Sequence, residues 1–291
     1  MRKKSSKIST IILIIILLVG LSVMLYPTVS DWWNSKVQSR AVANYNDVVA
    51  EMDDGETERL FAEADAYNQA LAKLYAPFLN YEDIEGYDDI LNISGTGIMG
   101  YITIPVIHAE FPIYHGVSEE VLNVAAGHLP GSSLPVGGVN THAVISAHRG
   151  LPSARLFTDL DQLVVDDVFT ITILDKIFTY QVEEIIIVKP DELDDLAIVP
   201  EEDHVTLMTC TPYGVNTHRL LVRAHRIETV YQSDVKITAD AVQIDSMSVV
   251  PFIAAPLFLL LLIYWIISSK KHKNKYNSKK YDSLLILPKE D

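Results

Sequence analysis

The residues of this sequence best suited to chemistry are its single cysteine and an arginine nine positions after it. Cys210 ends the strand-like run HVTLMTC, and residues 211–214 (TPYG) follow as a turn before a second strand-like run begins at His218. Such a hairpin brings the first residues of its second strand beside the last residues of its first, so we expect Arg219 to lie alongside Cys210. A guanidinium at that position favours the thiolate and can bind a developing oxyanion.

Thiol catalysis also needs a group that holds and delivers a proton, and the chain has nine histidines. His148 is the preferred candidate because it follows the strand-like run THAVISA and opens a loop that contains Gly150 and Pro152. Catalytic groups are often held in this way, at the end of a rigid strand. From spacing alone, His218 in the Cys210 hairpin stays an alternative. Three histidines without charged neighbours are interpreted as structural: His108, His115 and His128.

Signatures of other enzyme classes are missing from the sequence. There is no GxSxG, HExxH, CxxC, P-loop or GxGxxG motif, and no His/Cys/acid cluster has the spacing of a zinc site. We therefore expect no metal and no organic cofactor. The acidic segment 81–89 is interpreted as a solvated loop rather than a weak Ca²⁺ site. The lone cysteine excludes an intramolecular disulfide, and a buried structural thiol is the alternative to a nucleophile.

Composition indicates a membrane protein. Hydrophobic residues make up 49% of the 291-residue chain, and two charge-free stretches, 8–26 and 249–269, are each long enough to span a bilayer. Lysines and arginines flank the outer side of both, so the positive-inside rule predicts two cytoplasmic termini and an extracellular region between the spans. The first span has a cleavable signal peptide as its alternative. A formal net charge of -15 argues against a nucleic acid partner.

The region between the spans has two parts. Residues 31–96 are predicted to be helical, with two helices separated at Asp53-Asp54-Gly55, the second carrying an apolar stripe from Leu60 to Leu74 and ending at Pro77. Short Val-, Ile- and Thr-rich runs separated by turn residues fill 97–232 and predict a mainly β domain, a closed barrel or a sandwich. The remaining segments are a cytoplasmic stub with the first span (1–30), a linker (233–248), the second span (249–269) and a basic tail (270–291).

These motifs resemble those of the sortase family. VTLMTCTPYGVNTHRLLVR at 205–223 is similar to the sortase TLxTC motif with its downstream arginine, and THAVISAHRGLPSARLF at 141–157 resembles the strand and loop that carry the sortase histidine. The likeness covers about residues 97–230, with the motifs in the expected order, and it settles the choice of histidine for His148. It implies a closed β-barrel of about eight strands.

Within that family the chain is most similar to class C, the pilin-polymerising sortases, because of the same two motifs, the N-terminal helices and the second span. One departure concerns the lid that many class C enzymes place over the cysteine and arginine through an Asp-Pro-aromatic motif. The stretch that resembles this motif here is Ala76-Pro77-Phe78, in which an alanine that cannot pair with Arg219 stands in place of the Asp. Three interpretations stay open: a lid that is held more weakly, no lid, or a lid motif at another proline. No lid residue is therefore assigned.

The resemblance implies a cysteine transpeptidase on the membrane of a Gram-positive bacterium. Cys210 would attack an LPXTG-like sorting signal of a pilin precursor, His148 would serve as general acid and base, and Arg219 would hold the substrate and the oxyanion. A pilin lysine would accept the acyl group, and a monomer is expected. The alternatives are a housekeeping sortase that anchors proteins to peptidoglycan, a hydrolytic cysteine peptidase, and a non-catalytic surface binding module with a buried Cys210.

Overall fold

The computed structural model describes residues 3–229 of the chain. Val29–Ser233 belong to one compact unit, and of the other unit the structure describes residues 3–28. Helix α1 (Lys3–Ala50) contains a stretch that by length and composition could cross a membrane. The predicted span at 249–269 lies outside the described residues.

The helical region divides where the sequence predicts, but its end differs. Helix α2 (Asp54–Leu71) starts after Asp53, whose carboxylate accepts a hydrogen bond from the Glu56 backbone N–H at 2.8 Å and caps the helix. It ends at Leu71, and Pro77 does not terminate it; Pro77 instead begins a separate short helix, α3 (Pro77–Asn80). Proline is well suited to a first helical position because the N–H that it lacks has no partner there.

Eight strands form a closed barrel in the order β1-β2-β3-β4-β7-β8-β6-β5, which confirms the expected sortase-type barrel. The strands and the short helix α4 between the second and third are β1 (Ile98–Ile104), β2 (Ala109–His115), α4 (Glu119–Leu122), β3 (Ala126–His128), β4 (Thr141–Ser146), β5 (Val168–Ile173), β6 (Lys176–Val188), β7 (Asp203–Thr211) and β8 (His218–Ile227). Single 3-10 turns lie at Tyr81–Asp83, Pro105–Ile107, Leu160–Gln162 and Asp194–Leu196. The sequence patterns did not identify β2 and β3 as strands, because β2 contains Pro112 and β3 has three residues.

Most neighbouring strands are antiparallel, but two pairs run parallel: β2 with β3, and β4 with β7. The β4–β7 pairing runs from Thr141 beside Asp203 to Ser146 beside Met208. Parallel partners end at the same edge of the sheet. The two strand ends that carry the candidate histidine and the candidate cysteine therefore meet, although the two residues are far apart in the sequence.

The core lies inside the barrel and beneath α2. The apolar stripe on α2 packs against the barrel, with Leu60, Ala64, Tyr67 and Leu71 buried in the main cluster. Asn68, on the same helix, exchanges two hydrogen bonds with the backbone of a single residue, Leu134, at 3.0 and 2.7 Å. Burial of these apolar side chains, at about 25 cal/mol per Å² of apolar surface removed from water, stabilises the packing of α2 on the barrel.

The acidic segment 81–89 is only partly a solvated loop. Tyr87 is buried, and its hydroxyl lies 2.9 Å from Nδ1 of His128 and accepts the Gly116 N–H at 3.0 Å. The hydroxyl thus ties this segment to the barrel through groups that no pattern within 81–89 reveals.

Candidate active site

Cys210 and Arg219 are direct cross-strand partners in the antiparallel β7–β8 hairpin. Opposed residues in such a pair project to the same face of the sheet, so the thiol and the guanidinium leave the barrel on one side. Cys210 is a free, half-buried thiol. The connecting turn is closed by hydrogen bonds from the N–H groups of Val215 and Asn216 to the Pro212 carbonyl, both at 3.0 Å.

The guanidinium of Arg219 is held by its own turn. Nη1 donates to the carbonyl oxygens of His218 at 3.2 Å and Asn216 at 3.5 Å. Within residues 12–229, no carboxylate forms a salt bridge with it. The remaining donors of its planar fork are therefore suited to a ligand carbonyl or oxyanion.

His148 follows β4, the parallel neighbour of β7. The Ala147 N–H donates to the Met208 carbonyl at 3.2 Å, and the Thr209 hydroxyl donates to the Ala147 carbonyl at 2.8 Å, so the two chains stay together beyond the last strand pair. Extending the register of Ser146 beside Met208 by two residues sets His148 beside Cys210. Three neighbouring chain segments thus bring the three candidate residues to one edge of the barrel.

The surroundings of His148 affect its protonation in two opposing ways. Partial burial lowers the pKa of its imidazole below the ordinary value, because desolvation disfavours the charged form. The negative charge of Glu119, on the first turn of α4, acts in the other direction and favours the imidazolium.

The alternative His218 lies differently. It is paired with Thr211, one position along the hairpin from the Cys210–Arg219 pair, and alternation along a strand directs its side chain to the other face. Its exposed ring contacts the Thr217 hydroxyl at 3.0 Å. This placement favours His148 over His218 as the partner of Cys210.

Sequence reasoning missed Arg149. Its side chain is only 10% exposed; it forms a salt bridge with Asp161 and donates to the Thr211 hydroxyl at 3.3 Å. The side chain therefore joins the loop after His148 to the residue after Cys210. The one available signal was a basic residue directly beside the candidate histidine.

The stretch Ala76-Pro77-Phe78 lies on the same face of the sheet. Phe78 packs against a small apolar cluster that includes Val188 and Leu221, and Leu221 is two residues from Arg219 on β8. Gly131 makes room for this segment, since a Cβ there would lie 2.6 Å from the Phe78 Cα. An apolar cavity of about 400 Å³ adjoins the segment, lined by residues that include Leu71, Leu74, Phe78, Leu193 and Ile198.

Within the described part of the chain, no group of three or more His, Cys, Asp and Glu side chains is arranged to hold a metal ion. The chemistry that the site offers is that of a thiol flanked by an imidazole and a guanidinium. These are the components of nucleophilic acyl transfer, which needs a nucleophile, a proton carrier and a donor for the oxyanion.

Comparison with known proteins supports this interpretation. The family model for the sortase domain matches residues 102–227. Sortase A of Streptococcus agalactiae serotype III (strain NEM316) is 30% identical over 135 residues, which are 45% of this chain and 54% of that protein. Sortase D of Bacillus subtilis (strain 168) is 29% identical over 115 residues, 40% of this chain and 55% of that protein. The matches thus span about half the length of these curated relatives.

Solved structures match over more of the molecule. Sortase C1 of S. agalactiae is 48% identical with a TM-score of 0.60, covering 66% of this chain and all (100%) of that one. Sortase C of Clostridium perfringens, solved with the C-terminal cell wall sorting motif, is 42% identical with a TM-score of 0.59. The match covers 66% of this chain and 100% of that one. With this sequence identity, the closed barrel and the matching domain, the chain belongs to the sortase family and, within it, to class C.

Proposed function

We propose that this protein is a membrane-anchored cysteine transpeptidase that polymerises pilins. The observation that carries the proposal is the meeting of three chain segments at one edge of the barrel, with His148 following β4, Cys210 on β7 and Arg219 on β8. A binding module with a merely structural thiol has no need of this arrangement.

In the first half-reaction, the Cys210 thiolate attacks the Thr–Gly carbonyl of an LPXTG-like sorting signal. Arg219 donates to the carbonyl oxygen as it becomes negative. His148, as imidazolium, protonates the Gly amine as the peptide bond breaks. The products of this half-reaction are a thioester on Cys210 and the released C-terminal peptide.

In the second half-reaction, a lysine amine of another pilin subunit attacks the thioester. His148 accepts the proton of the amine, an isopeptide bond forms, and the Cys210 thiolate is released. The Streptococcus pneumoniae sortase C, whose structure is described in terms of pilin substrate specificity, supports the choice of a pilin lysine over a peptidoglycan amine. The C. perfringens sortase C, solved with the C-terminal cell wall sorting motif, supports the choice of substrate class.

The apolar part of α1 is proposed to anchor the protein, with the predicted span at 249–269 as a second anchor. Basic residues outside both stretches support cytoplasmic termini and an extracellular barrel on a Gram-positive cell. No cofactor is needed for the reaction as written, and a monomer is sufficient for it.

The proposal is tested by incubating the full chain, in detergent, with purified candidate pilins that carry C-terminal sorting signals. We expect covalent ladders on a denaturing gel with the wild-type protein and neither ladders nor thioester with Cys210→Ala. Ladders from Cys210→Ala would overturn the assignment of the nucleophile. Transfer to a peptidoglycan-type amine without ladders would establish wall anchoring instead, and release of the free acid alone would establish a peptidase.

A further inference from the structure

We infer that one turn of α1, Asp31–Asn34, is a positioning element for the loop that carries His148. This inference rests on the proposed function, because it assigns the turn a part in preparing the same site. It extends the site from the barrel edge to the helix that would leave the membrane.

Two hydrogen bonds join the turn to the loop. The Asp31 carboxylate accepts the backbone N–H of Arg155 at 2.8 Å, and the Asn34 side-chain amide donates to the Ser153 carbonyl at 2.7 Å. Both loop groups belong to the backbone. These two bonds therefore fix the path of the chain itself.

The same face of α1 is fixed to the barrel further along. Gln38 donates to the Val124 carbonyl at 2.6 Å. The buried hydroxyl of Tyr45 donates to the Met99 carbonyl at 3.0 Å and accepts the Leu174 N–H at 2.8 Å. These contacts hold the part of α1 that follows Asp31–Asn34 against the barrel unit, so the turn at Asp31–Asn34, in the interior of the helix, has a defined position.

The loop is anchored in the core mainly in its second half. Residues 147–159 contain no helix or strand, and the buried side chains Ala154, Leu156 and Phe157 lie towards its end, so the part that follows His148 has few contacts of its own to hold it. The Phe157 N–H donates to the His148 carbonyl at 3.2 Å and closes the loop on the candidate histidine. Ser153 and Arg155 lie inside this closed segment, so their attachment to α1 restricts the position of His148.

The opposite face of the same turn carries two exposed tryptophans. Trp32 and Trp33 are 57% and 62% exposed, and helical geometry directs them away from the Asp31, Asn34 and Gln38 side. Tryptophan is enriched at the membrane–water interface. The turn is thus suited to sit at the lipid surface with one face while it holds the loop with the other.

Hydrogen exchange of the full chain in detergent or nanodiscs, without substrate, tests the docking. Asp31→Ala removes the acceptor of the Arg155 amide, and we expect that amide to exchange about tenfold faster, the effect of losing one hydrogen bond to a charged group. Asp31→Asn keeps an acceptor oxygen and should restore slow exchange. Asn34→Ala should speed exchange across residues 149–157, whereas Ser35→Ala, an exposed neutral control on the same helix, should change nothing.

The positioning role is tested by the rate of thioester formation with a sorting-motif peptide. We expect this rate to fall severalfold in Asp31→Ala and Asn34→Ala, with the Tm of the barrel unchanged and the rate restored in Asp31→Asn. If residues 149–157 exchange no faster in Asp31→Ala and Asn34→Ala than in Ser35→Ala, the docking is overturned. If they exchange faster but thioester forms at the wild-type rate, the positioning role is overturned. Absence of any thioester in the wild-type protein would instead count against the proposed function. The docking could still be assessed in that case, because hydrogen exchange is measured without substrate.

Discussion

Cys210 and Arg219 are opposed residues of one antiparallel hairpin, so the thiol and the guanidinium share a face of the sheet. The pairing is fixed by seven further register pairs along β7 and β8. Because the backbone ladder sets this relationship, substitution of either side chain changes the chemistry of the site and leaves the position of its partner intact.

Arg219→Lys tests the role of the planar guanidinium. Lysine keeps the charge but loses the fork that can hold a backbone carbonyl and an oxyanion together, so we expect thioester formation to slow by about 10²-fold, the usual loss on removing an oxyanion donor. Arg223→Lys, four residues along the same strand and paired with Glu183 and Glu184, is the matched control. Wild-type turnover in Arg219→Lys would contradict the role proposed for Arg219.

Glu119→Gln tests the protonation of His148. Burial lowers the pKa of His148 and the charge of Glu119 opposes this shift, so removal of the charge should lower that pKa further. Protonated His148 is then lost at lower pH, and the alkaline limb of the rate of thioester formation should move to lower pH. The adjacent Glu120→Gln is the control, and identical pH profiles for the two variants would show that Glu119 does not act on His148.

Phe78→Ala tests whether the segment over the sheet limits access to the thiol. The side chain packs on the cluster with Val188 and Leu221, beside Arg219, and Ala76 offers no carboxylate to hold the segment in its place. Loss of this apolar contact should let the segment open more often and raise the rate of Cys210 labelling by a thiol reagent about tenfold. Leu79→Ala, at a side chain that is 80% exposed, is the control; equal labelling in both variants would show that the segment does not cover the thiol.

Two buried histidines should make the stability of the barrel sensitive to acid. His128 Nε2 donates to the Ser133 carbonyl and His142 Nδ1 donates to the Ala197 carbonyl, at 2.8 and 2.9 Å, while burial lowers the pKa of each to about 4. The unfolded chain binds these protons near pH 6.5. The free energy of unfolding is therefore unaffected by these two histidines above that pH. It decreases as pH falls towards 4, by up to about 1.4 kcal/mol per pH unit for each histidine.

The measurement is the Tm of the full chain in detergent between pH 7 and pH 4.5. His142→Gln should be less stable at pH 7 but should lose less stability on acidification, because one proton-binding group of the unfolded state is removed. A variant with the same pH dependence as the wild-type protein would exclude His142 as a source of the acid sensitivity.

Local patterns were sufficient for the barrel strands with strong β composition and for the Cys210–Arg219 pair. A hairpin is a contact between neighbours in the sequence, so its turn and the two runs beside it determine which residues face each other. The apolar stripe of α2 could also be predicted, because its residues recur at helical spacing on one face of a single helix. Strand β2 was missed since Pro112 weakens its pattern, and the end of α2 was misjudged because Pro77 begins a helix as readily as it follows one.

The sequence by itself was sufficient to name Cys210 and Arg219 as candidates and to show the sortase resemblance that selected His148 as the third. Only the tertiary structure decided what surrounds them. The parallel pairing that ends β4, just before His148, at the same edge as β7 with Cys210 joins strands separated by more than 50 residues. The contacts of Asn34 and Asp31 with the His148 loop join residues 119 and 124 positions apart. Short-range periodicity carries no information on such contacts, since they arise when the closed barrel and the packing of α1 fix which surfaces meet.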